Sequence, residues 1–201
     1  MFHQKLRLCA VALAIHALSH TQASALAFEA YLGGGASQLN LTSTTRTNKS
    51  DGYLAPVLGG GVSYSFASFL DFEADALYVQ RKFGLFDVKT SFPVLQIPVF
   101  AKFQYKPFQL NFGLYSALWV FNGEMLQGET TSEVSPADAG LKTSEIGMTA
   151  GAGYTFSVRG IPLRAEIRWQ KSMTPVATDA NLTSSIVEYQ CLLAYEFGGR
   201  K

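Results

Sequence analysis

The sequence predicts an all-β fold, namely an eight-stranded, antiparallel, up-and-down transmembrane β-barrel. Three observations lead to this prediction: an export signal at the N-terminus, segments of about ten residues in which apolar and polar side chains alternate, and aromatic residues near the ends of those segments. A strand of a soluble sandwich also alternates, but its apolar face packs against a second sheet. The combination with an export signal and aromatic strand ends favours the membrane barrel.

Residues 1–27 are predicted to be a cleaved signal peptide. Two basic residues precede the apolar run Leu8–Leu18, which is too short to span a bilayer, and Ala25–Ala27 forms a small-x-small cleavage site. The remaining residues, 28–201, are predicted to form one outer-membrane barrel domain.

Loss of this leader limits the chemistry that the remaining chain can perform. All three histidines lie within it, and only Cys191 remains of the two cysteines. Histidine-dependent catalysis, histidine metal sites and an intrachain disulfide are therefore excluded, and we expect no catalytic residue, no cofactor and no metal. The remaining 14 basic and 15 acidic side chains create no basic field for nucleic acid. We expect Cys191 to be a small buried hydrophobe rather than a nucleophile.

The first four predicted strands each carry one apolar face. They are Phe28–Leu39 (apolar face Phe28, Ala30, Leu32, Ala36), Leu54–Phe66 (Leu58, Val62, Tyr64, Phe66), Phe69–Lys82 (Leu70, Phe72, Ala74, Ala76, Tyr78) and Phe92–Lys106 (Leu95, Ile97, Val99, Ala101, Phe103, Tyr105). Successive side chains of a strand point to opposite faces, so these residues are predicted to face lipid. Pro56 and Pro98 fall inside two of these strands, and because proline lacks the N–H that a ladder needs, we expect a β-bulge at each.

The last four predicted strands repeat the pattern. They are Phe108–Val120 (Phe108, Leu110, Phe112, Leu114, Leu118), Ser144–Val158 (Ile146, Met148, Ala150, Ala152, Tyr154, Phe156), Leu163–Met173 (Leu163, Ala165, Ile167, Trp169, Met173) and Ile186–Phe197 (Val187, Tyr189, Cys191, Leu193, Tyr195, Phe197). The seventh is the most regular, because charged or polar residues occupy every alternate position from Arg164 to Ser172 and only Lys171 interrupts the apolar face.

Short and long connections alternate along the chain. The short ones are 67–68, 106–107 and 159–162, and the long ones are 40–53, 83–91, 121–143 and 174–185. A barrel with both termini in the periplasm has short periplasmic turns and longer external loops. We expect the longest loop, 121–143, to be mobile and outside the cell, because little in it can build a core.

Aromatic residues are predicted to form two bands at the membrane interfaces. Tyr78, Phe92 and Trp169, together with Trp119, are expected in the band near the long loops. The residues assigned to the interfaces are Tyr64, Phe66, Phe72, Tyr105, Phe156, Trp169, Tyr195 and Phe197.

Charged residues on the opposite strand faces are predicted to form a lumen network. Its members are Glu29, Asp71, Glu73, Asp75, Lys102, Arg164, Glu166, Arg168, Glu188 and Glu196. The interior of an eight-stranded barrel is just wide enough for side chains to fill it, which favours a paired plug over a channel. The carboxylates of Asp71, Glu73 and Asp75 could do acid–base work, but steps of two residues place them about 7 Å apart on any lumen-facing strand.

The segment Ser91–Lys102 resembles the Leu-Glu-Ile-Pro-Leu-Leu-Leu-Lys strand of PorT-type outer-membrane β-barrel domains, with Gln96 where an acid is common. Gly147–Tyr154 and the closing Leu193–Phe197 are similar to that family as well. The resemblance implies an eight-stranded barrel in a Gram-negative envelope and implies no catalytic residues. The chain departs from the family's pattern at residues 198–201, which follow the usual closing aromatic, and at Leu192, where a glycine is expected.

The sequence therefore favours a small non-enzymatic outer-membrane barrel with a side-chain-filled lumen and a structural or recognition role through its external loops. Its expected partners are outer-membrane lipid, the barrel-assembly machinery and an unidentified extracellular ligand, and it is expected to be a monomer. One alternative is a barrel enzyme acting on lipid, similar to a lipid A deacylase or an outer-membrane protease, but those sites use histidine. The other is a soluble periplasmic calycin-like lipid carrier, which requires apolar residues inside and polar residues outside.

Overall fold

The structure, a computed structural model, describes residues 26–42, 47–85, 88–119, 121–179 and 183–197. All regular secondary structure in these ranges is β-strand. The strands are β1 (Leu26–Thr42), β2 (Thr47–Lys49), β3 (Asp51–Gly52), β4 (Leu54–Ala67), β5 (Leu70–Leu85), β6 (Val88–Tyr105), β7 (Phe108–Leu118), β8 (Gly123–Gln127), β9 (Thr130–Val134), β10 (Ser144–Val158), β11 (Ile161–Ser172) and β12 (Thr183–Phe197). The predicted signal peptide, 1–27, lies outside the described residues except for Leu26 and Ala27, which begin β1.

The longer strands pair in sequence order and return to the first. The antiparallel pairs are β1–β4, β4–β5, β5–β6, β6–β7, β7–β10, β10–β11, β11–β12 and β12–β1. This succession confirms the predicted all-β, antiparallel, up-and-down arrangement.

The described residues contain twelve strands rather than the eight expected, because the long connections continue pairing beyond the barrel wall. The short strands β2 and β3 pair with β1 and β5, and β8 and β9 form a hairpin beside β6. The connection predicted at 83–91 is largely strand, since β5 continues to Leu85 and β6 begins at Val88.

Alternation of side chains along each strand sorts the residues between a polar interior and an apolar outer wall. On β11, Ile167 is 63% exposed whereas its neighbour Arg168 is 0% exposed. The outer wall carries Leu110, Phe112 and Leu114 among its exposed residues, far more apolar surface than water normally tolerates. This arrangement is the reverse of the one that a calycin-like carrier requires.

The predicted short connections are tight turns in the structure. Residues 68–69, 106–107 and 159–160 each join two neighbouring barrel strands. At Arg159 and Gly160 the φ angles are 52° and 82°, as in a type I′ turn, whose twist matches that of the flanking strands.

The bulges expected at Pro56 and Pro98 are absent from the described strands. The β5–β6 ladder omits the positions facing Pro98 but keeps one register on both sides, from Ala74 opposite Val99 to Leu77 opposite Gln96. The missing N–H of Pro98 therefore interrupts the ladder locally, but the same residues of β6 face the lumen on both sides of it. The register shift lies instead between Ser65 and Ala67, next to a short turn.

Candidate functional site in the barrel lumen

The lumen is the place where the polar side chains of all the barrel strands meet. The structure buries nine of the ten predicted lumen residues: Glu29, Asp71, Glu73, Asp75, Lys102, Arg164, Glu166, Arg168 and Glu188. The tenth, Glu196, is only partly buried and lies beside Arg164 at the short-turn end, where both line a small cavity. Strand periodicity was sufficient to place this group, since every member occupies a position alternate to the apolar wall.

Seven of these residues form one ion-pair network, called here the lower network, toward the short turns. Arg168 Nη1 donates to Asp75 Oδ2 at 2.6 Å, and Lys102 Nζ donates to Glu29 Oε1 at 3.1 Å. Arg164 donates from Nη1 to the same Glu29 oxygen at 2.9 Å. Its members are the bases Lys102, Arg164 and Arg168 and the acids Glu29, Glu73, Asp75 and Glu166.

Tyr31 is a member of the lower network that sequence reasoning missed. Its hydroxyl lies 2.5 Å from both Glu29 Oε2 and Glu73 Oε1, and the Arg168 guanidinium carbon lies 4.9 Å from its ring centroid. The position follows from parity with Glu29, but an aromatic residue was expected on the lipid side.

Arg81 is the centre of a second network, called here the upper network, nearer the long loops. It contacts Glu145 through Nη2 and Glu188 through Nε, both at 2.9 Å. The Tyr115 hydroxyl donates to Glu145 Oε1 at 2.9 Å, and Gln96 Nε2 donates to Glu188 Oε2 at 3.0 Å.

Sequence reasoning missed Arg81 and Glu145, although both have the parity of lumen residues. Two apolar residues, Leu77 and Val79, interrupt the polar face of β5 before Arg81. Counting parity to the end of the strand would have found it.

Apolar clusters separate and cover the two networks. One cluster includes Tyr31, Leu77 and Val79 and lies between the networks along β5. The other, called here the mouth cluster, lies beyond the upper network. Its buried members are Leu39, Phe83, Phe92, Val94, Tyr115, Ala117, Trp119, Leu141, Val176 and Ile186.

Phe92 and Trp119 belong to the mouth cluster and not to an interface band, which corrects the prediction. Their rings are 5.8 Å apart, and Phe83 stacks on Trp119 at 6.2 Å. The guanidinium carbon of Arg81 lies 5.0 Å from the Trp119 ring centroid. Both aromatics have lumen parity, and burial against one another outweighs the preference of their rings for the headgroup level.

Two of the long connections close over the mouth cluster. Leu141 pairs with Ala177 in an isolated bridge, and Lys142 N–H donates to the Val176 carbonyl at 2.7 Å. The Ser184 hydroxyl accepts from the backbone N–H of Val176 at 2.8 Å and of Ala177 at 2.7 Å. The connection 121–143 therefore differs from the expected loop without core contacts, because Leu141 is a buried member of the cluster.

The predicted interface aromatics lie on the outer wall. Exposed members are Tyr64, Phe66, Phe72, Tyr105, Tyr195 and Phe197, and partly buried ones are Phe156 and Trp169. Phe28 and Phe197 stack at 6.1 Å across the β1–β12 pair. Their assignment to the lipid headgroup level stays a prediction.

The carboxylates considered for acid–base chemistry are engaged by lumen partners. Asp75 and Glu73 are held in the lower network, and Asp71 accepts from Gln104 Nε2 at 2.8 Å. Cys191 is exposed on the outer wall, which corrects its expected burial. Among the described residues, no cluster of three or more His, Cys, Asp or Glu side chains is placed to hold a metal ion. Nor do these residues include a helix long and apolar enough to cross a membrane.

Comparison with known proteins finds one matching family model and several similar solved structures. The family model of the outer membrane protein β-barrel domain matches residues 12–176. Neisserial surface protein A shares 16% identity at a TM-score of 0.47, covering 85% of this chain and 99% of its own. OprG from Pseudomonas aeruginosa shares 14% at 0.45, covering 87% and 97%, and Ail of Yersinia pestis shares 11% at 0.43, covering 84% and 98%. Likeness at this level carries no argument about the function of this chain. No curated protein sequence matches the chain.

Proposed function

The chain belongs to the outer membrane protein β-barrel domain family, and we propose that it is a closed, non-enzymatic member whose role is structural or recognitional rather than transport. In this proposal the ring of eight long strands spans the outer membrane, after residues 1–27 have directed export and been removed. The likeness of Ser91–Lys102 to PorT-type domains favours that branch of the family.

The observation that carries the proposal is the filled lumen. Arg81 and Trp119, in successive layers of the lumen, are 0% and 1% exposed. A water-sized path along the axis would expose lumen side chains on several strands, whereas Arg81, Gln96, Arg168 and Glu188, on four different strands, are all 0% exposed. Buried charges are also held by partners on other strands, as Arg81 of β5 is by Glu145 of β10 and Glu188 of β12.

The outer wall and the external connections are then the surfaces available to contact lipid or other molecules. The protein is a monomer that the barrel-assembly machinery inserts into the membrane. Its apolar wall faces outer-membrane lipid. The carboxylates of the two networks are paired and buried, so lipid hydrolysis by them would lack both a free base and access to substrate.

Conductance across planar lipid bilayers tests the closed lumen. We expect purified, refolded protein to give no more steady current than protein-free lipid. The matched variant Trp119→Ala/Leu141→Ala removes two members of the mouth cluster and should raise the frequency of brief openings. A stable ohmic conductance of the unaltered protein would overturn the proposal, and so would its recovery from the soluble periplasmic fraction.

A further inference from the structure

The hairpin of β8 and β9 ends in an unpaired strand edge. The sheet order terminates at β9, which pairs with β8 over five residues from Thr130 to Val134. Within the described part of the chain, no strand pairs with the opposite edge of β9. Four of its five residues are exposed, and Val134 is partly buried. The edge is therefore a row of backbone donors and acceptors of the kind that accepts an added strand.

The register fixes which backbone groups face outward. Gln127 and Thr130 flank a two-residue turn in which Gly128 has a φ of 62°, so they form the hydrogen-bonded pair that closes the hairpin. Bonded and non-bonded pairs alternate in an antiparallel ladder. The residues whose N–H and C=O groups point away from β8 are then Thr131 and Glu133.

The β9 edge lacks the features that usually keep strand edges from pairing with other chains. Natural edges carry lysine, proline or bulges, whereas Thr130–Val134 has none of these and carries one charge, Glu133. Threonine and valine favour extended structure. The β9 edge can therefore pair with a further strand, and charge is the main feature by which it would select that strand.

The β8–β9 hairpin carries acidic charge only, and the bases Lys82 and Lys89 lie on β5 and β6, on the side of the hairpin away from the free edge. Glu124 and Glu133 lie directly opposite each other on the hairpin, an unfavourable arrangement for like charges. Residues 121–141 contain four acids and no Lys or Arg. No salt bridge among the described residues involves Glu124, Glu129 or Glu133, and the Glu133 carboxylate accepts only from Asn122 Nδ2, at 2.8 Å, in the hydrogen bonds of this region.

We propose that the free edge of β9 binds an extended, basic polypeptide segment, which adds as a further strand and places a Lys or Arg side chain against Glu133 and Glu124. The inference rests on the proposed recognition role and names its partner class. A second copy of this chain fits less well, because two acidic edges would meet.

Binding of short synthetic peptides to the full chain refolded in detergent tests the proposal. Five residues of β9 extend about 17 Å, so the probe is a fluorescent peptide of about eight residues alternating Lys and Thr. Its two counterparts alternate Glu and Thr, or carry N-methyl groups on the main-chain amides of one edge. We expect saturable binding of the basic peptide alone, weakened by salt.

Variants at Thr131 separate the backbone edge from mere charge attraction. Thr131→Pro removes an outward N–H without removing a bond to β8, and proline is tolerated on such an edge. Loss of one hydrogen bond and of close approach should weaken binding about tenfold. Thr131→Val retains the N–H and should bind as the unaltered protein does. Glu133→Gln should weaken binding about two- to fivefold, as an exposed ion pair does, whereas Asp51→Asn, an exposed acid on another strand, should have no effect.

These binding results test strand addition independently of the closed-barrel proposal, which the conductance measurement tests. If Thr131→Pro bound the basic peptide as tightly as the unaltered protein does, binding would rest on charge alone and strand addition would be overturned. The same would follow if the N-methylated and unmodified peptides bound equally. Absence of binding, or equal binding of the acidic peptide, would also overturn it. A dimer in analytical ultracentrifugation that Thr131→Pro abolishes would identify a second copy as the occupant instead. Should Thr131→Pro fail to refold, the Glu133→Gln variant and the N-methylated peptide still decide.

Discussion

Replacing Arg81 by methionine is the sharpest test of the upper network. Arg81 is the only base that contacts Glu145 and Glu188 among the salt bridges of the described residues, and its distance to each is 2.9 Å. Methionine fills a similar length without charge, so Arg81→Met leaves two carboxylates facing each other in a site without solvent. The Tyr115 hydroxyl and Gln96 amide remain as donors to them.

The expected loss follows from the general cost of an uncompensated buried charge. Breaking a buried ion pair by removing one partner costs about 3–5 kcal/mol. That corresponds to about two to four powers of ten in the folding equilibrium. Replacing a whole buried network by apolar residues of similar volume is often neutral or stabilising. The triple variant Arg81→Met/Glu145→Gln/Glu188→Gln removes all three charges but buries two amides, so it should recover part of the loss.

The assay is denaturant titration of the chain refolded into lipid vesicles, followed by tryptophan fluorescence. Trp119 lies 5.0 Å from the Arg81 guanidinium, so one of the two tryptophans reports on this layer directly. Lys142→Met, at an exposed position of the connection 121–143, is the matched control and should change stability by less than about 0.5 kcal/mol. A single variant as stable as the control, or a triple variant as unstable as the single one, would refute this account of the upper network.

Four further predictions follow from other parts of the molecule. Ile167→Arg on the outer wall should cost about 2–4 kcal/mol in vesicle titrations if the position lies at the midplane, and equal tolerance of Arg and Ala there would contradict a lipid-facing wall. Trp119→Ala should cost about 3–5 kcal/mol in the same titration, as large-to-small core changes do; a smaller loss would mean that the mouth cluster is loosely packed. Arg159→Asn should raise stability by up to about 1 kcal/mol, since asparagine adopts a left-handed conformation more readily, and an unfolding midpoint that stays unchanged would argue against strain in that turn. Deleting residues 124–133 should preserve heat-modifiable gel migration, whereas Leu141→Asp should impair it by placing a charge in the mouth cluster. If only the deletion variant lost this migration, the hairpin and not Leu141 would be the part of the connection that the folded barrel needs.

Period-two alternation predicted most of the lumen because one physical rule governs it. In lipid the apolar face must point outward, so a charged residue of correct parity has only the interior available, as for Arg168 and Glu188. The rule fails to distinguish aromatic residues, which suit both the wall and a buried cluster. Trp119 and Phe92 were assigned to the interface for that reason, although their parity is that of the lumen.

The closure of the outer mouth could not be predicted from the sequence, because it depends on non-local pairing. Leu141 and Ala177 are far apart in the chain, and neither stands in an alternating segment. The β8–β9 hairpin was missed for a related reason, since its strands are polar and their alternation carries little apolar signal. Gly123 fits there because a Cβ at this position would overlap the Phe92 ring.

The order of layers along β5 argues most directly against passage through the barrel. From the short turn outward, the lumen-facing positions of β5 are Asp71, Glu73, Asp75, Leu77, Val79, Arg81 and Phe83. Charged layers alternate with apolar ones, and in each network the acids outnumber the bases by one. An ion on this axis would leave one set of partners, cross an apolar layer without water, and then displace partners held at 2.9 Å in the next. Paired buried charge and apolar layers together fill the interior, and we propose that the acidic, unpaired edge of β9 is a polar surface that meets another molecule.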